Sequence, residues 1–447
     1  MSDLEKAFNK LKSKQLRNKK LFDYYDGNQP LVYSAERLSE VFGGTFAKFN
    51  QNWCQVVVDA TLDRLSLMGF DPIGGNTAAD KRLDELWSRY HLELDADEVH
   101  KGALIAGESY IIAWKRQDGT IDVYYNSPQM CHIFYKPDYP KEKQFAAKWY
   151  KGDDEKWHIT LYYPDRLEYY VSQGEILPES ISGFKPEKKT AENPFKVIPV
   201  FHFRCPGDLS NIITIQDAVN KLFADMMVAG EYGAFKQRWV ISNSDTAELK
   251  NRPGEVWGIP AGDGVGQGAS VGEFEGEDLT IFTTAIEKLA NVIAILTKTP
   301  KHYLADVGAG ISGDALIAME APLVKKCEKL IKQFSVTWQE LASFLLTLDG
   351  TQELPAYQIL PRWGRVKAEQ PLAEFQAINF GTSSGIPLVT MLRRQGWDKS
   401  AIEQMKADQE AEKKEKNSMS KTLLDAARDE QNMANSTGLE ATDGANA

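Results

Sequence analysis

The stretch VGAGISGDALIAME, Val307 to Glu320, places glycines at 308, 310 and 313 ahead of a helix-prone run, a formal G-x-G-x-x-G. That pattern marks a dinucleotide site only when a β-strand leads into it, because the pyrophosphate must sit where a strand end meets a helix N-terminus. The preceding residues, EDLTIFTTAIEKLANVIAILTKTP, read as a helix, with Phe282, Ile286, Leu289, Val292 and Leu296 on one side. The position about 20 residues past Gly313, where the fingerprint expects an acid, is Gln333 inside another helical stretch. The glycines are therefore read as a loop between two helices, with Ser312 able to cap the second.

Outward from that loop, the C-terminal side continues as one long helix from Gly313 to about Leu348. Pro322 is expected to kink it, and Leu323, Cys327, Leu330, Phe334, Trp338, Leu341 and Leu345 form its apolar stripe. YQILPRW then reads as strand-like, followed by helices near 371–380, 386–395 and 399–415 and a polar tail from Ala411 expected to be disordered or helical only when bound. On the N-terminal side, Ile212, Ile215, Val219, Leu222, Met226 and Ala229 predict a helix of about 25 residues, roughly 37 Å long. The glycine-rich excursion that follows holds only short β-like pieces. Farther upstream, helices are expected at 3–22, 50–69, 79–90 and 95–106. From Ser109 to about Phe203, aromatic and β-branched runs broken at Asp118-Gly119 and Gly152-Asp153 form a hairpin pattern. The fold class is thus α+β, mainly helical.

The composition narrows the function. The chain has 447 residues, 43% of them hydrophobic, ample for a folded core. Its 63 acidic and 52 basic residues give a net charge of −11, the wrong sign for a protein that binds by neutralising phosphates. Cys54, Cys131, Cys205 and Cys327 lie far apart with no C-x-x-C pair, so reduced thiols are expected rather than zinc or a disulfide framework. The N-terminus lacks the apolar core of a signal peptide, and no run approaches the ~18 apolar residues of a membrane span.

Catalytic motifs are not found. His91, His100, His132, His158, His202 and His302 show no metal-ligand spacing. His302, Ser312 and Asp314 lie near one another in sequence, but no G-x-S-x-G elbow surrounds the serine. The acids of DADE (95–98) and GDDE (152–155) read as a helix start and a hairpin turn. No catalytic residue, cofactor or metal is assigned. The alternative kept open is an uncharacterised hydrolase with a site in the β-rich domain.

The order YYDGNQPL, NWCQVVVDATLDRL, ALIAGESYIIAW, IQDAVNKLFADMMVAGEYGAFKQRWV, AIEKLANVIAILTKTPKHYL and SGDALIAMEAPLVKKCEKLIKQFSVTWQEL resembles the portal proteins of long-tailed bacteriophages over about residues 20–410. The resemblance implies a ring of about twelve subunits around a DNA channel at one capsid vertex. It implies a wing at 1–211, stem helices at 212–236 and 279–303, and a clip at 237–278 between them. A tunnel loop at 304–312 would comprise Ala305, Asp306, Val307, Gly308, Ala309, Gly310 and Ile311. The long helix and its return to the wing would span 313–365, crown helices 366–410, and the tail 411–447. Implied partners are double-stranded DNA passing without sequence recognition, the terminase large subunit, the head–tail connector or adaptor, and major capsid and scaffolding proteins, with no membrane. Location in the virion after assembly in the host cytoplasm follows. ATP hydrolysis would belong to the motor, since this chain has no G-x-x-x-x-G-K-[ST] loop.

The residues themselves bear on two of these assignments. Ala229, Gly230, Gly233 and Ala234 crowd the end of the first stem helix, where each glycine costs up to ~1 kcal/mol against alanine. Small residues there would let the helices of a ring approach closely. In PGEVWGIP, Val256, Trp257 and Ile259 sit in an excursion too short to bury its own core, so neighbouring subunits are expected to cover them.

Overall fold

The computed structural model describes residues 2–29, 51–73, 77–116, 118–234, 238–241, 270–274, 276, 278–306, 308, 312–351, 354–367, 371–395, 397, 401–414, 416 and 419. The chain divides into two compact units, Met1–Val366 and Lys367–Ala447. In the first unit, α1 (Asp3–Tyr25) is capped by the Ser2 side chain, which accepts from the Glu5 N–H. Helices α2 (Trp53–Leu62), α3 (Thr77–Arg89) and α4 (Leu92–Ala106) follow, with the short strand β1 (Leu67–Pro72) between α2 and α3. Gly107 ends α4 at φ +85°, donating to the Ala103 carbonyl, a backbone shape that favours glycine.

From Glu108 the side-chain period becomes two. Strands β2 (Glu108–Lys115), β3 (Ile121–Asn126) and β10 (Val200–Arg204) form a three-stranded sheet in the order β10-β2-β3. A six-stranded sheet runs β4 (Cys131–Tyr135), β5 (Lys143–Lys151), β6 (Trp157–Tyr162), β7 (Arg166–Ser172), β8 (Phe184–Pro186), with β9 (Ala191–Glu192) also on β7. All pairings are antiparallel. Alternation lets β5 bury both faces. Phe145, Ala147 and Trp149 pack under Ala7, Phe8 and Leu11 of α1. Ala146 instead joins Tyr110, Ile112 and Val200.

The main core gathers around α7 (Gly313–Asp349), 37 residues long and continuous through Pro322. Every residue of its expected apolar stripe is buried, from Leu323 to Leu345. Trp338 meets Phe203, Phe70 and Trp87, and its indole N–H donates to His100 Nε2 at 3.0 Å. His100 also stacks on Phe334, with ring centroids 4.9 Å apart. At about 2 kcal/mol for each large apolar side chain removed from water, this helix is the largest single contributor to the core.

One expected element is corrected. The helix predicted over 50–69 stops at Leu62, and Leu67–Pro72 pairs antiparallel with β13 (Ile359–Trp363) instead. A partner almost 300 positions away in sequence supplies the ladder, and Gly69 takes φ +138°, outside helical space. Local periodicity carried no trace of that partner.

The second unit is a small helical cluster. Helices α8 (Pro371–Ser383), α9 (Leu388–Arg394) and α10 (401–414) bury Ile378, Met391, Leu392 and Ile402 together.

Lys326 ties the first unit together. Its ammonium donates to Asp208 Oδ2 at 2.7 Å, Thr61 Oγ1 at 3.0 Å and the Thr297 carbonyl at 3.1 Å, so all three protons have acceptors. Burial pushes the Asp208 carboxyl up, and Lys326 draws it back toward the ionised form. Removing one member of so buried a pair leaves an uncompensated charge, worth about 3–5 kcal/mol. Lys326→Met should lower stability by that much in chemical unfolding, and Asp208→Asn in the same chain should restore part of it.

Burial holds His100 at about 3, and burial with the nearby Lys14 ammonium does the same to His132. In the unfolded chain each ring titrates near the ordinary ~6.5. Between those values the unfolded state binds more protons, so stability falls as pH falls. Going from about pH 7 to about pH 5 should cost about 2 kcal/mol per ring. In urea titrations at the two pH values, His132→Asn should remove about one such contribution from the difference.

Candidate functional site

Two helices leave the core side by side. The first, α5 (Ile213–Ala234), is anchored only over its N-terminal part. There Val219 is buried, Gln216 Oε1 accepts from the Trp53 N–H at 3.1 Å, Gln216 Nε2 donates to Asn220 Oδ1 at 3.0 Å, and Tyr24 donates to Asp217 at 2.6 Å. From Lys221 to Gly230 no residue is buried. Its partner α6 (Thr280–Thr297) packs along it and returns to the core, where Lys326 caps the Thr297 carbonyl, a cation at a helix C-terminus.

The faces of α6 differ from the expected stripe. Ile286, Ala290, Ile293, Ala294 and Thr297 are buried. At 100° per residue, Ile281, Val292, Ile295 and Leu296 fall on the opposite side, and there Ile281 is 69% and Ile295 77% exposed. Val292 and Leu296, read on one side with Ile286, are exposed where Ile286 is buried, because the helix is apolar around much of its circumference and periodicity alone does not choose a face. Ala290 and Ala294 choose it, being small enough to let α6 sit close to the core. Thr280–Thr297, with a mean hydropathy of 1.4, is long and apolar enough to cross a membrane by length and composition. Glu287, Lys288 and Asn291 break it as an unbroken apolar run, which is why the sequence reading passed over it. Its buried side rests on the protein core, an arrangement suited to a partly covered helix rather than one surrounded by lipid.

The excursion between the two helices begins and ends on a two-stranded ribbon. β11 (Arg238–Ile241) pairs antiparallel with β12 (Ser270–Glu273), with Trp239 opposite Gly272. A Cβ on Gly272 would fall 2.4 Å from the Trp239 ring, so the indole requires glycine there. Val256, Trp257 and Ile259 lie outside the described residues. Of the small residues on α5, Ala229 and Gly230 are half-buried. A Cβ at Gly230 would meet only Leu279, at 3.9 Å, so the fold of one chain does not require glycine there. Gly233 and Ala234 are helical, and their side chains lie outside the described residues.

After α6 comes a short 3-10 turn, Lys301–Tyr303, and among the described residues up to Gly308 no strand, so the G-x-G-x-x-G lacks the context of a dinucleotide site. In the expected tunnel loop, Ala305 is half-buried and Asp306 and Gly308 are exposed. Asp306 Oδ1 accepts from the Gly308 N–H at 2.9 Å, and Gly308 adopts φ +80°. Val307, Ala309, Gly310 and Ile311 lie outside the described residues. Ser312 caps α7 by accepting from the Ala315 N–H at 3.3 Å.

The β-rich part was the place kept open for a hydrolase. Asp95 accepts from the Tyr125 N–H and Asp154 from the Lys156 N–H, both structural uses. A cavity of about 510 Å³ between α1, α4 and the β3–β4 turn is lined by Lys19, Asp23, Asp26, Glu98, Lys101 and Tyr125, among others. In it Lys101 pairs with Glu98. Among the described residues no three His, Cys, Asp or Glu side chains are grouped to hold a metal ion.

Residues 5–415 match the family described as phage portal protein, SPP1 Gp6-like. The portal protein of Mycobacterium phage L5 is 23% identical over 348 residues, covering 69% of this chain and 68% of its own. That of Mycobacterium phage D29 is 22% identical over 362 residues, covering 72% of each. Among solved structures, the neck of an empty GTA particle computed with C6 symmetry has a TM-score of 0.45 at 12% identity, covering 80% of this chain and 92% of that one. With the family match running almost end to end, the chain belongs to the phage portal protein family.

Proposed function

We propose that copies of this chain close into a ring of about twelve around a central channel at one vertex of a phage capsid, with a structural and mechanical role rather than an enzymatic one. The observation that carries the proposal is the second apolar face of α6. Ile281, Val292, Ile295 and Leu296 face away from the chain's own core and are exposed in a single copy. An identical neighbour related by rotation would cover that face with its own stem, and α5 would present Ala229, Gly230, Gly233 and Ala234 for close approach.

In this reading α5 and α6 are the stem, and residues 237–278 form the clip, with Val256, Trp257 and Ile259 covered by neighbouring copies. Residues 304–312 line the channel as the tunnel loop, 313–365 return to the wing of residues 1–211, and 366–410 are the crown. Double-stranded DNA passes through without being read. The terminase large subunit supplies ATP hydrolysis during packaging, the head–tail connector docks afterwards, and capsid and scaffolding proteins surround the ring in the virion.

The purified protein should run as closed rings in light scattering and negative-stain images. Ile295→Glu places a charge on the exposed face of α6, so it should yield a folded monomer with unchanged circular dichroism. Rings formed equally well by that variant would remove the stem contact from the proposal. For the tunnel loop, deletion of Asp306 to Ile311 should leave assembly intact and reduce the DNA retained in filled heads. Normal retention would mean that this segment is not part of the channel.

A further inference from the structure

We propose that Glu320 is a positioning residue that holds together the two chain ends flanking the proposed channel segment; this deepens, and rests on, the portal reading. The carboxylate sits on α7 two residues before Pro322. One of its oxygens accepts from the Arg64 guanidinium at 2.6 Å and the other from the Tyr303 hydroxyl at 3.0 Å. The His302 ring lies 3.6 Å from that second oxygen. Arg64 also donates to the Tyr303 hydroxyl at 2.9 Å and to the Val366 carbonyl at 2.8 Å. Glu320 and Arg64 are largely buried, with 15% and 14% side-chain exposure, so solvent screens the pair little.

A clasp between Tyr303 and Glu320, fixed to the body by Arg64, thus joins the chain near the buried Leu304 to the start of α7, just before burial resumes at Leu323. The distribution of burial on α7 gives the clasp its task. No residue between Gly313 and Pro322 is buried, whereas Leu323 and Val324 are. Leu316 and Met319 are only half-buried there, and the proline removes one backbone donor at the boundary. Lys326, on the far side of Pro322, grips the Thr297 carbonyl at the end of α6. Its loss affects the fold as a whole. Glu320 grips the start of α7, where no side chain from Gly313 to Pro322 is buried, and ties it to Tyr303, beside the buried Leu304.

Hydrogen–deuterium exchange on assembled rings of the full chain tests this directly. Glu320→Ala should raise exchange across peptides spanning residues 300–320 by about tenfold or more, the size of effect expected for one lost charge-assisted bond. Melting temperature should fall, because Arg64 stays buried without its carboxylate, while rings should still assemble and filled heads should retain less DNA. Glu320→Gln, which keeps an acceptor for Tyr303, should recover part of the exchange protection and of the DNA retention. Unchanged exchange over 300–320 would overturn the proposal. So would failure of both variants to assemble, which would make Glu320 a general structural residue. Wild-type heads that hold no DNA through this protein would instead overturn the portal reading, while the exchange measurement would still decide the role of Glu320.

Discussion

One side of α7 cannot be left in water, and much of the first unit is arranged around that fact. From Leu323 onward the helix buries a residue on nearly every turn, ending with Leu345, Leu346 and Leu348. β10 covers it through Phe201 and Phe203, and α4 through the ring of His100. β1 and α3 close over it with Phe70 and Trp87. Because the stripe begins only after Pro322, the same helix supplies both a core axis and, on its N-terminal side, a stretch that leaves the core. A proline inside a helix usually weakens it by about 3 kcal/mol. Here it marks the position where burial begins.

The polar ties follow from this division. Three separate stretches converge on α7 near Pro322: the turn after α2, the entry to α5 and the exit from α6. Lys326 and Glu320 each take one charge of their pair into that convergence, with Asp208 and Arg64 as partners. Apolar packing could not define this junction so sharply, since contacts of that kind tolerate sliding. A buried ammonium with three acceptors fixes the angle at which the helix pair leaves the body. Loss of a partner is costly for the same reason the junction is well defined: desolvated charge has no alternative place to go.

Legibility in the sequence tracked the range of the interactions involved. α7 was readable from its stripe, as were the Ser312 cap and the hairpins at Gly119 and Gly152, because each depends on neighbours a few residues away. Strand β1 was not, since its ladder partner is Ile359–Trp363 and no local pattern announces it. The stripe read on α6 mixes buried and exposed positions because an apolar surface spread around a helix gives periodicity little to resolve. Arg64, Tyr303 and Glu320 carry no motif at all. Their spacing in sequence is arbitrary, and only the return of the chain past Pro322 brings them together. The family, by contrast, was legible from the order of several weak segments, each uninformative alone.

The charge balance constrains how a ring of this protein could handle DNA. Its best-placed cations are committed internally: Lys326 to Asp208, Arg64 to Glu320, Lys14 to Glu108 and Arg82 to Asp349. Each is matched by an acid, so these ties leave the net charge of −11 to be expressed by the remaining surface. About twelve copies multiply that to about −130, a field that repels a polyanion at distances within the Debye length of ~8 Å. A duplex inside such a ring would meet little attraction to slow it, and would be held by fit rather than by neutralised phosphates. Asp306, exposed in the segment proposed to line the channel and accepting from its own backbone at Gly308, keeps that segment acidic as well. A conduit built this way needs no base-reading side chains, which accords with finding its ionic chemistry in the joints of the fold.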